Sequence, residues 1–354
     1  MNPDLAVTDL QIIEGKYLQD ILDEPRALEA TLAGLVPSPV LINLAQRLAD
    51  GKFHRVVLTG MGSSFHALHP LNLQLIRHGF TALMVETSEL VHYQSRFFDP
   101  KTLIVAVSQS GQSAEMIRLA EVNRKRSEVV AVTNTQRSPL VQHSTGALFT
   151  QAGAEFSVSC KTYVTALMVL KFLGDILCQR DPQQSLRELE RAPLLAGEYL
   201  NRWKEHVELL ARKLRGIDHL FFVGRGASLA AVGTGALTVK ESDHFHAEGM
   251  SSAAFRHGPF EMLSEDTFVA VFSGDEKTRN LNQRLLSDIQ QGGGDAEFVG
   301  QNSALEPFRL QDHGEGVRPI LEILPVQMIT LALAALAHRE AGKFERAAKI
   351  TTTE

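Results

Sequence analysis

The sequence predicts an α/β protein made of two tandem copies of one unit, each a parallel sheet with helices on both faces. A hydrophobic run that ends in Gly60-Met61-Gly62-Ser63-Ser64 is matched by a later run that ends in Gly224-Arg225-Gly226-Ala227-Ser228. Each is followed by another hydrophobic run that ends in serine, at Ser108 and at Ser273. Because similar patterns recur at similar intervals, the chain divides into two related units.

The predicted elements follow in order. Apolar residues at helical spacing indicate a helical lead-in over residues 1–50, broken at Asp23-Glu24-Pro25. The first unit, 51–195, has predicted strands at 56–58, 82–86, 103–107 and 129–133 and helices at 64–78, 113–126 and 163–178. The second unit, 196–354, has predicted helices at 198–213, 228–242, 284–291 and 325–341 and strands at 220–223, 268–272 and 297–299. We expect a connector at 180–192 and an irregular segment after the 228–242 helix.

The composition favours a small ligand. With 44% hydrophobic and 21% charged residues, a net charge of -6 and no basic cluster, the chain is a poor match for nucleic acid or an anionic membrane. The first five residues lack secretory-signal features, and Glu322, Pro325 and Gln327 interrupt the apolar run 320–337, so we expect a cytoplasmic chain without a membrane span. The two cysteines have neither metal-ligand spacing nor a disulfide framework.

Serine-rich turns at two predicted strand ends indicate an anion site. Gly62-Ser63-Ser64 opens one helix, and Ser108-Gln109-Ser110-Gly111-Gln112-Ser113 opens another. Backbone N–H groups at a helix start and serine hydroxyls favour a phosphate, and neighbouring strand ends form the crevice where open sheets bind ligands. A dinucleotide site is the alternative, although Phe65 stands in place of the third glycine; helix capping alone explains either cluster singly.

The second unit carries a dense run of ionisable residues. Lys240-Glu241 falls near the C-terminus of a predicted helix, and His246, Glu248 and His257 lie in the segment after it. A carboxylate and an imidazole beside one sugar can act as base and ring-opening acid. Each residue taken alone is more often a solvated charge or a capping contact, and His244-x-His246 lacks the further ligands of a metal site.

At these residues the chain resembles the sugar isomerase (SIS) family, in particular the isomerase half of glucosamine-6-phosphate synthase and its free-standing relatives. The resemblance covers nearly the whole chain and is carried by residues 108–113, 240–241, 246–248 and 256–259. It implies two SIS units of flavodoxin-like topology, with no metal or redox cofactor. It also implies a homodimer with shared sites, because in relatives the segment of the active-site histidine reaches the neighbouring subunit.

The resemblance also implies roles for individual residues. The implied contacts to the substrate phosphate are Ser63, Ser64, Ser108, Gln109, Ser110 and Ser113. Further implied substrate contacts are Gly62, Val158 and Ala348. Glu241 is expected to move the proton between C1 and C2, His257 to assist ring opening, and Lys349 to meet the open-chain carbonyl; by spacing alone Lys349 is a surface lysine.

Several departures from the synthase pattern bear on the substrate. No glutaminase segment with its nucleophilic cysteine precedes residue 1, so we expect something other than a complete synthase. Ala254 replaces a glutamate, Thr238 replaces a lysine, the loop 155–163 is one residue shorter, and Phe344-Glu345-Arg346 stands in place of Pro-Arg-Asn.

The leading prediction is an enzyme that converts an amino-sugar phosphate, glucosamine 6-phosphate or a close epimer, to fructose 6-phosphate and ammonia. Two alternatives stay open: a deglycase that cleaves a phosphorylated fructosamine with the same base, and a non-catalytic sugar-phosphate sensor. The intact Arg256-His257-Gly258-Pro259 favours the first prediction over the deglycase. Glu241, His257 and Lys349 together disfavour the sensor, which needs only the phosphate site.

Overall fold

A computed structural model describes residues 10–311, 314–346 and 348–351 of the chain. The N-terminal five residues, on which the prediction about a secretory signal depends, lie outside this part. The lead-in contains helices α1 (Lys16–Leu22), α2 (Glu24–Gly34) and α3 (Pro39–Ala49). The predicted break falls at Asp23, and Pro25 lies in the first turn of α2, where its missing N–H leaves no hydrogen bond unmade.

The first unit is a five-stranded parallel sheet. Its strands are β1 (Arg55–Gly60), β2 (Ala82–Glu86), β3 (Thr102–Val107), β4 (Glu128–Thr133) and β5 (Gly146–Phe149). Its helices are α4 (Gly62–His66), α5 (His69–Arg77), α6 (Thr87–His92), α7 (Ala114–Asn123), α8 (Pro139–Gln142) and α9 (Lys161–Leu177). The strand order β2-β1-β3-β4-β5 is the flavodoxin-like order, which opens a crevice at the carboxyl ends of β1 and β3.

Three helices lead to the second unit: α10 (Pro182–Leu189), α11 (Arg191–Leu200) and α12 (Trp203–Lys213). The second sheet consists of β6 (His219–Gly224), β7 (Ala247–Ser251), β8 (Thr267–Phe272) and β9 (Asp295–Val299), all parallel in the order β7-β6-β8-β9. The helices of this unit are α13 (Leu229–Asp243), α14 (Ser252–Arg256), α15 (Glu276–Gln291), α16 (Arg318–Leu321) and α17 (Leu324–Leu336). Its order matches the first four strands of the first sheet, which confirms the predicted duplication.

The structure corrects four predicted elements. The helix expected at 198–213 is divided, because α11 ends at Leu200 and α12 begins at Trp203. The helix expected at 64–78 is two helices, α4 and α5, because Pro70 in the first turn of α5 cannot donate to the turn before it. The connector expected at 180–192 is largely helix α10, which Asp181 caps by accepting from the backbone N–H of Gln183. The segment expected to be irregular after α13 contains β7, an edge strand that pairs only with β6.

One hydrophobic core joins the two units. Leu58 of β1, Leu167 of α9, Val232 of α13 and Met328 of α17 all belong to the same buried cluster. Helices α16 and α17 form an apolar segment, Arg318–Leu336, with a mean hydropathy of 1.8. We expected this segment to be too short and too polar to span a membrane. That expectation is wrong, because its length and composition would allow a span. However, 94% of the segment is buried inside the protein, as in a core helix.

Candidate functional site

Three of the predicted phosphate contacts line one cleft at the carboxyl ends of β1 and β3. Ser63 and Ser64 come from the start of α4, and Gln109 comes from the turn after β3. Gly62, just before the serines, has a φ of +53°, which glycine adopts without the strain of a Cβ. The cleft is also lined by polar residues that the sequence analysis did not assign, Thr133, Asn134, Thr150, Ser159, Thr162 and Tyr163.

The turn from Ser108 to Ser113 is held by its own hydroxyl groups. Ser108 Oγ accepts from the N–H of Gly111 at 3.1 Å, and Ser110 Oγ accepts from the N–H of Gln112 at 3.3 Å. Because these oxygens act as acceptors, their protons remain available to an anion. Ser113 is the N-cap of α7 and makes no capping bond through its side chain. The hydroxyl groups of the turn can therefore donate to an anion, whereas the N–H groups of Gly111, Gln112 and Ala114 already have acceptors within the chain.

The corresponding strand ends of the second unit are occupied by the chain's own carboxylates. Ser228 donates from Oγ to Glu322 Oε1 at 2.8 Å, and this pair is buried. Asp275 caps α15, accepting from the N–H of Thr278 at 3.2 Å. Asp275 also pairs with Arg77 at 3.3 Å, so the polar groups at these strand ends have partners within the chain. The two units thus share a fold, while their strand ends carry different polar side chains.

The base predicted from the sequence, Glu241, lies in the last turn of α13 beside the C-terminal tail. Burial raises the pKa of its carboxyl group from 4.5 to about 7. The charges of Lys349 and Lys240 act in the opposite direction, and the charge of Glu155 adds to the increase in pKa. A carboxyl group that titrates near neutral pH both accepts and returns a proton readily. The electrostatic coupling places Glu241, Lys349 and Glu155 in one charged cluster.

Glu155 holds the centre of this cluster. Its Oε1 accepts from the N–H groups of Cys160 at 2.9 Å and Thr162 at 3.0 Å, and its Oε2 accepts from the Thr162 hydroxyl at 2.7 Å. Lys349 Nζ donates to the same Oε2 at 2.5 Å. The Glu155 side chain is 0% exposed, so this ion pair is shielded from water on the carboxylate side. Thr162 also lines the phosphate cleft, which places Glu155 directly behind it.

The tail lysine joins two segments on which substrate contacts were predicted. Lys349 Nζ donates a second hydrogen bond, at 2.5 Å, to the carbonyl oxygen of Ser157. Val158, the next residue, is fully buried, and Ala348 is exposed beside the lysine. The structure therefore brings the 155–158 loop and the tail together, while the substrate contacts of Val158 and Ala348 stay a prediction.

His257 stands apart from this cluster. It is the exposed C-cap of the short helix α14, and among the described residues its ring makes no hydrogen bond or ion pair with Glu241 or Lys349. Its neighbour Arg256 pairs with Asp288 at 2.5 Å. Nor do the described residues contain a cluster of three or more His, Cys, Asp or Glu side chains arranged for a metal ion.

Sequence reasoning did not assign a role to Glu155. One signal for it was present: between Arg137 and Lys161 it is the sole aspartate, glutamate, lysine or arginine. A lone acidic residue in a long stretch without other charged side chains indicates a specific partner when it is buried. That partner is far away in the sequence, at position 349, so only the folded chain reveals it.

Comparison with known proteins agrees with this geometry. The SIS domain family model matches residues 51–174 and 213–295. The glutamine--fructose-6-phosphate aminotransferase [isomerizing] of Pyrococcus horikoshii is 30% identical over 352 residues, which cover 95% of this chain and 57% of that protein. The chain thus spans little more than half the length of this relative.

Two solved structures share the fold. The C-terminal domain of glucosamine-fructose-6-phosphate aminotransferase from Francisella tularensis superposes with a TM-score of 0.79 at 20% identity, covering 92% of this chain and 96% of that one. Glucosamine-6-phosphate deaminase from Thermotoga maritima superposes with a TM-score of 0.74 at 18% identity, covering 96% of this chain and 100% of that one. Both likenesses confirm the predicted fold of two parallel-sheet units.

Proposed function

The chain belongs to the SIS domain family, and from that premise we propose that it deaminates and isomerises an amino-sugar phosphate, glucosamine 6-phosphate or a close epimer. The products are fructose 6-phosphate and ammonia. One observation carries the proposal: the Glu241 carboxyl group, with a pKa of about 7, lies in the charged cluster of Lys349 and Glu155 behind the serine-lined cleft. The Thermotoga maritima deaminase supplies a precedent for this activity on the same fold.

The phosphate occupies the first-unit cleft. Hydroxyls of Ser63 and Ser64 and the turn 108–113 donate to its oxygens, and the start of α7 adds a favourable dipole. The phosphate is remote from the reacting carbons, so its binding energy serves to position C1 and C2 against the charged cluster.

The chemistry takes place at C1 and C2. His257 assists opening of the ring, and Glu241 removes the C2 proton from the open-chain aldehyde to give an enolamine. Lys349 faces the oxygen on C1 and stabilises the negative charge that develops there. Return of the proton to C1 gives a 2-imine, which one water molecule hydrolyses to the ketose phosphate and ammonia.

A homodimer completes the site in this proposal. The exposed position of His257 and its separation from the described contacts of Glu241 support its delivery to the site of a neighbouring subunit. We place this dimer in the cytoplasm, where sugar phosphates are available.

The test is ammonia release from glucosamine 6-phosphate, followed with a coupled dehydrogenase. The wild-type protein and Glu208→Gln, a control with the same charge change at an exposed position on α12, are expected to release ammonia equally. Glu241→Gln is expected to lose about 10²- to 10⁴-fold in kcat, the usual contribution of a general base, while fructose 6-phosphate still raises its Tm.

Other outcomes identify the alternatives. Amine release from a phosphorylated fructosamine, without ammonia release from glucosamine 6-phosphate, establishes the deglycase. A Tm increase with sugar phosphates but no turnover of any of them establishes the sensor. Equal turnover by wild type and Glu241→Gln contradicts the role assigned to Glu241.

A further inference from the structure

The C-terminal tail runs from the second unit across to the first. It begins where the N–H of Gly342 donates to the carbonyl oxygen of Ser242, at 3.3 Å, near the end of α13. It reaches the first helix turn after the serine cluster, where the N–H of Ala114 donates to the carbonyl oxygen of Thr351 at 3.2 Å. Lys349 lies between these two points and supplies the side-chain attachment to the first unit.

The carboxylate that accepts from Lys349 is held in place by residues outside the tail. Both oxygens of Glu155 accept hydrogen bonds from its own loop, two from backbone N–H groups and one from the Thr162 hydroxyl. These bonds fix the carboxylate at the start of α9, with its remaining capacity directed at Lys349. The acceptor is therefore preorganised, which lowers the entropic cost of docking a flexible lysine.

The buried carboxylate of Glu155 needs a positive charge beside it. A fully buried carboxylate is costly unless a cation accompanies it. Lys161, the buried lysine at the start of α9, is already held by Asp20 at 2.9 Å, Asp23 at 3.2 Å and the carbonyl oxygen of Ala154 at 2.7 Å. Lys349 thus supplies the positive charge that Glu155 needs.

We propose that Glu155 is a positioning residue that docks Lys349, and the tail with it, beside Glu241 at the back of the phosphate cleft. The catalytic consequence rests on the proposed function, whereas the docking itself rests on the contacts described above. Glu155 does not touch the reacting carbons in this proposal. It acts through Lys349, whose ammonium group it aims at the substrate oxygen on C1.

The first test requires no turnover. Acetic anhydride labels accessible amines, and the modification of Lys349 is quantified by mass spectrometry of the tail peptide in the folded protein. Glu155→Gln is expected to raise the labelling rate of Lys349 about tenfold, as a charge-assisted hydrogen bond is lost. Glu345→Gln is the matched control, since it removes a tail carboxylate paired with Arg339 at 3.3 Å and leaves the Glu155 contact intact.

Unchanged labelling of Lys349 in folded Glu155→Gln overturns the docking role. Glu155→Asp is the second variant, for use if Glu155→Gln does not fold. It keeps the buried charge and shortens the side chain by one methylene group. A folded Glu155→Asp protein should also label faster at Lys349, with a lower kcat. Wild-type labelling together with wild-type kcat in this variant overturns the proposal as well.

The second test separates positioning from a general structural effect. Glu155→Gln is expected to lower kcat about 100-fold while KM stays within about threefold of wild type, because a misplaced group affects the reacting centre and spares phosphate binding. If Glu155 acts through Lys349, the double variant with Lys349→Met is no slower than Lys349→Met alone. Additive losses overturn the proposal. A wild-type protein without turnover refutes the proposed function, while the labelling rates still decide the docking.

Discussion

Replacing Glu241 with glutamine should stabilise the protein at alkaline pH while abolishing turnover. Burial raises the pKa of this carboxyl group from 4.5 to about 7, so the folded state binds its proton more tightly than the unfolded state does. The ionised form that the proposed chemistry needs is the form that the fold disfavours. Glutamine keeps the shape of the protonated carboxyl group and carries no charge at any pH.

The sign and size follow from linkage. Below pH 4.5 both states of the wild type carry the proton on Glu241, and the substitution has no electrostatic effect. Between pH 4.5 and about 7 the unfolded state loses the proton first, so the free energy of unfolding of the wild type falls as pH rises. The full difference amounts to about 3 kcal/mol, at roughly 1.36 kcal/mol for each pH unit between the two pKa values.

Urea unfolding at pH 4.5 and pH 8.5 measures this difference. The free energy of unfolding of Glu241→Gln minus that of the wild type should be about 3 kcal/mol larger at pH 8.5 than at pH 4.5. The m-value should be unchanged. Glu208→Gln, at an exposed position on α12, should track the wild type at both pH values. An advantage of Glu241→Gln that is equal at both pH values would refute the reasoning, since it would show that burial does not perturb this carboxyl group.

Three further predictions test the cleft, the second unit and the shared site. Gly111→Ala places a Cβ 2.3 Å from the Ser138 hydroxyl at a φ of +62°, so it should lower the free energy of unfolding by about 1–3 kcal/mol in urea and abolish the Tm increase with fructose 6-phosphate. Ser228→Ala breaks the buried bond to Glu322, so it should cost about 1–3 kcal/mol in the same unfolding assay yet leave KM for the sugar phosphate unchanged, because its unit does not hold the phosphate. Inactive His257→Asn and Glu241→Gln proteins, mixed and refolded together, should regain about a quarter of wild-type activity if the site is shared between subunits, whereas a mixture that stays inactive would place His257 in its own subunit's site.

The sequence predicted the parts of the fold whose signals are local. Buried central strands such as β3 and β8 read as continuous apolar runs, the repeat indicated two related units, and the family resemblance implied their flavodoxin-like topology. The edge strand β7 was missed because its sequence, Ala-Glu-Gly-Met-Ser, is short and has no β-branched or aromatic residue; it pairs at the free edge of β6. Strand β5, Gly-Ala-Leu-Phe, also lies at an edge and was missed because four residues are too few for a clear strand signal.

The candidate site shows the same limit. The position of Glu241 at the end of α13 was predictable from helical periodicity, and the serine turns were predictable from the strand ends before them. The pairing of Lys349 with Glu155 joins residues 194 positions apart and depends on the tail crossing between units, which no local pattern encodes. The exposure of His257 likewise follows from tertiary structure.

In the proposed function, the first copy of the fold binds the phosphate and the second copy supplies the base. Both units open a crevice at equivalent strand ends, and in the second unit Glu322 and Asp275 satisfy the polar groups there internally. The second unit also contributes α13, whose last turn carries Glu241, and the charges of Lys349 and Glu155 act on this carboxyl group. The tail then brings Lys349 to a carboxylate of the first unit, Glu155, which itself lies behind the open cleft. Each unit thus supplies groups that the other lacks. Producing the two units as separate chains, with the break anywhere between residues 195 and 340, should therefore abolish turnover even if both halves fold.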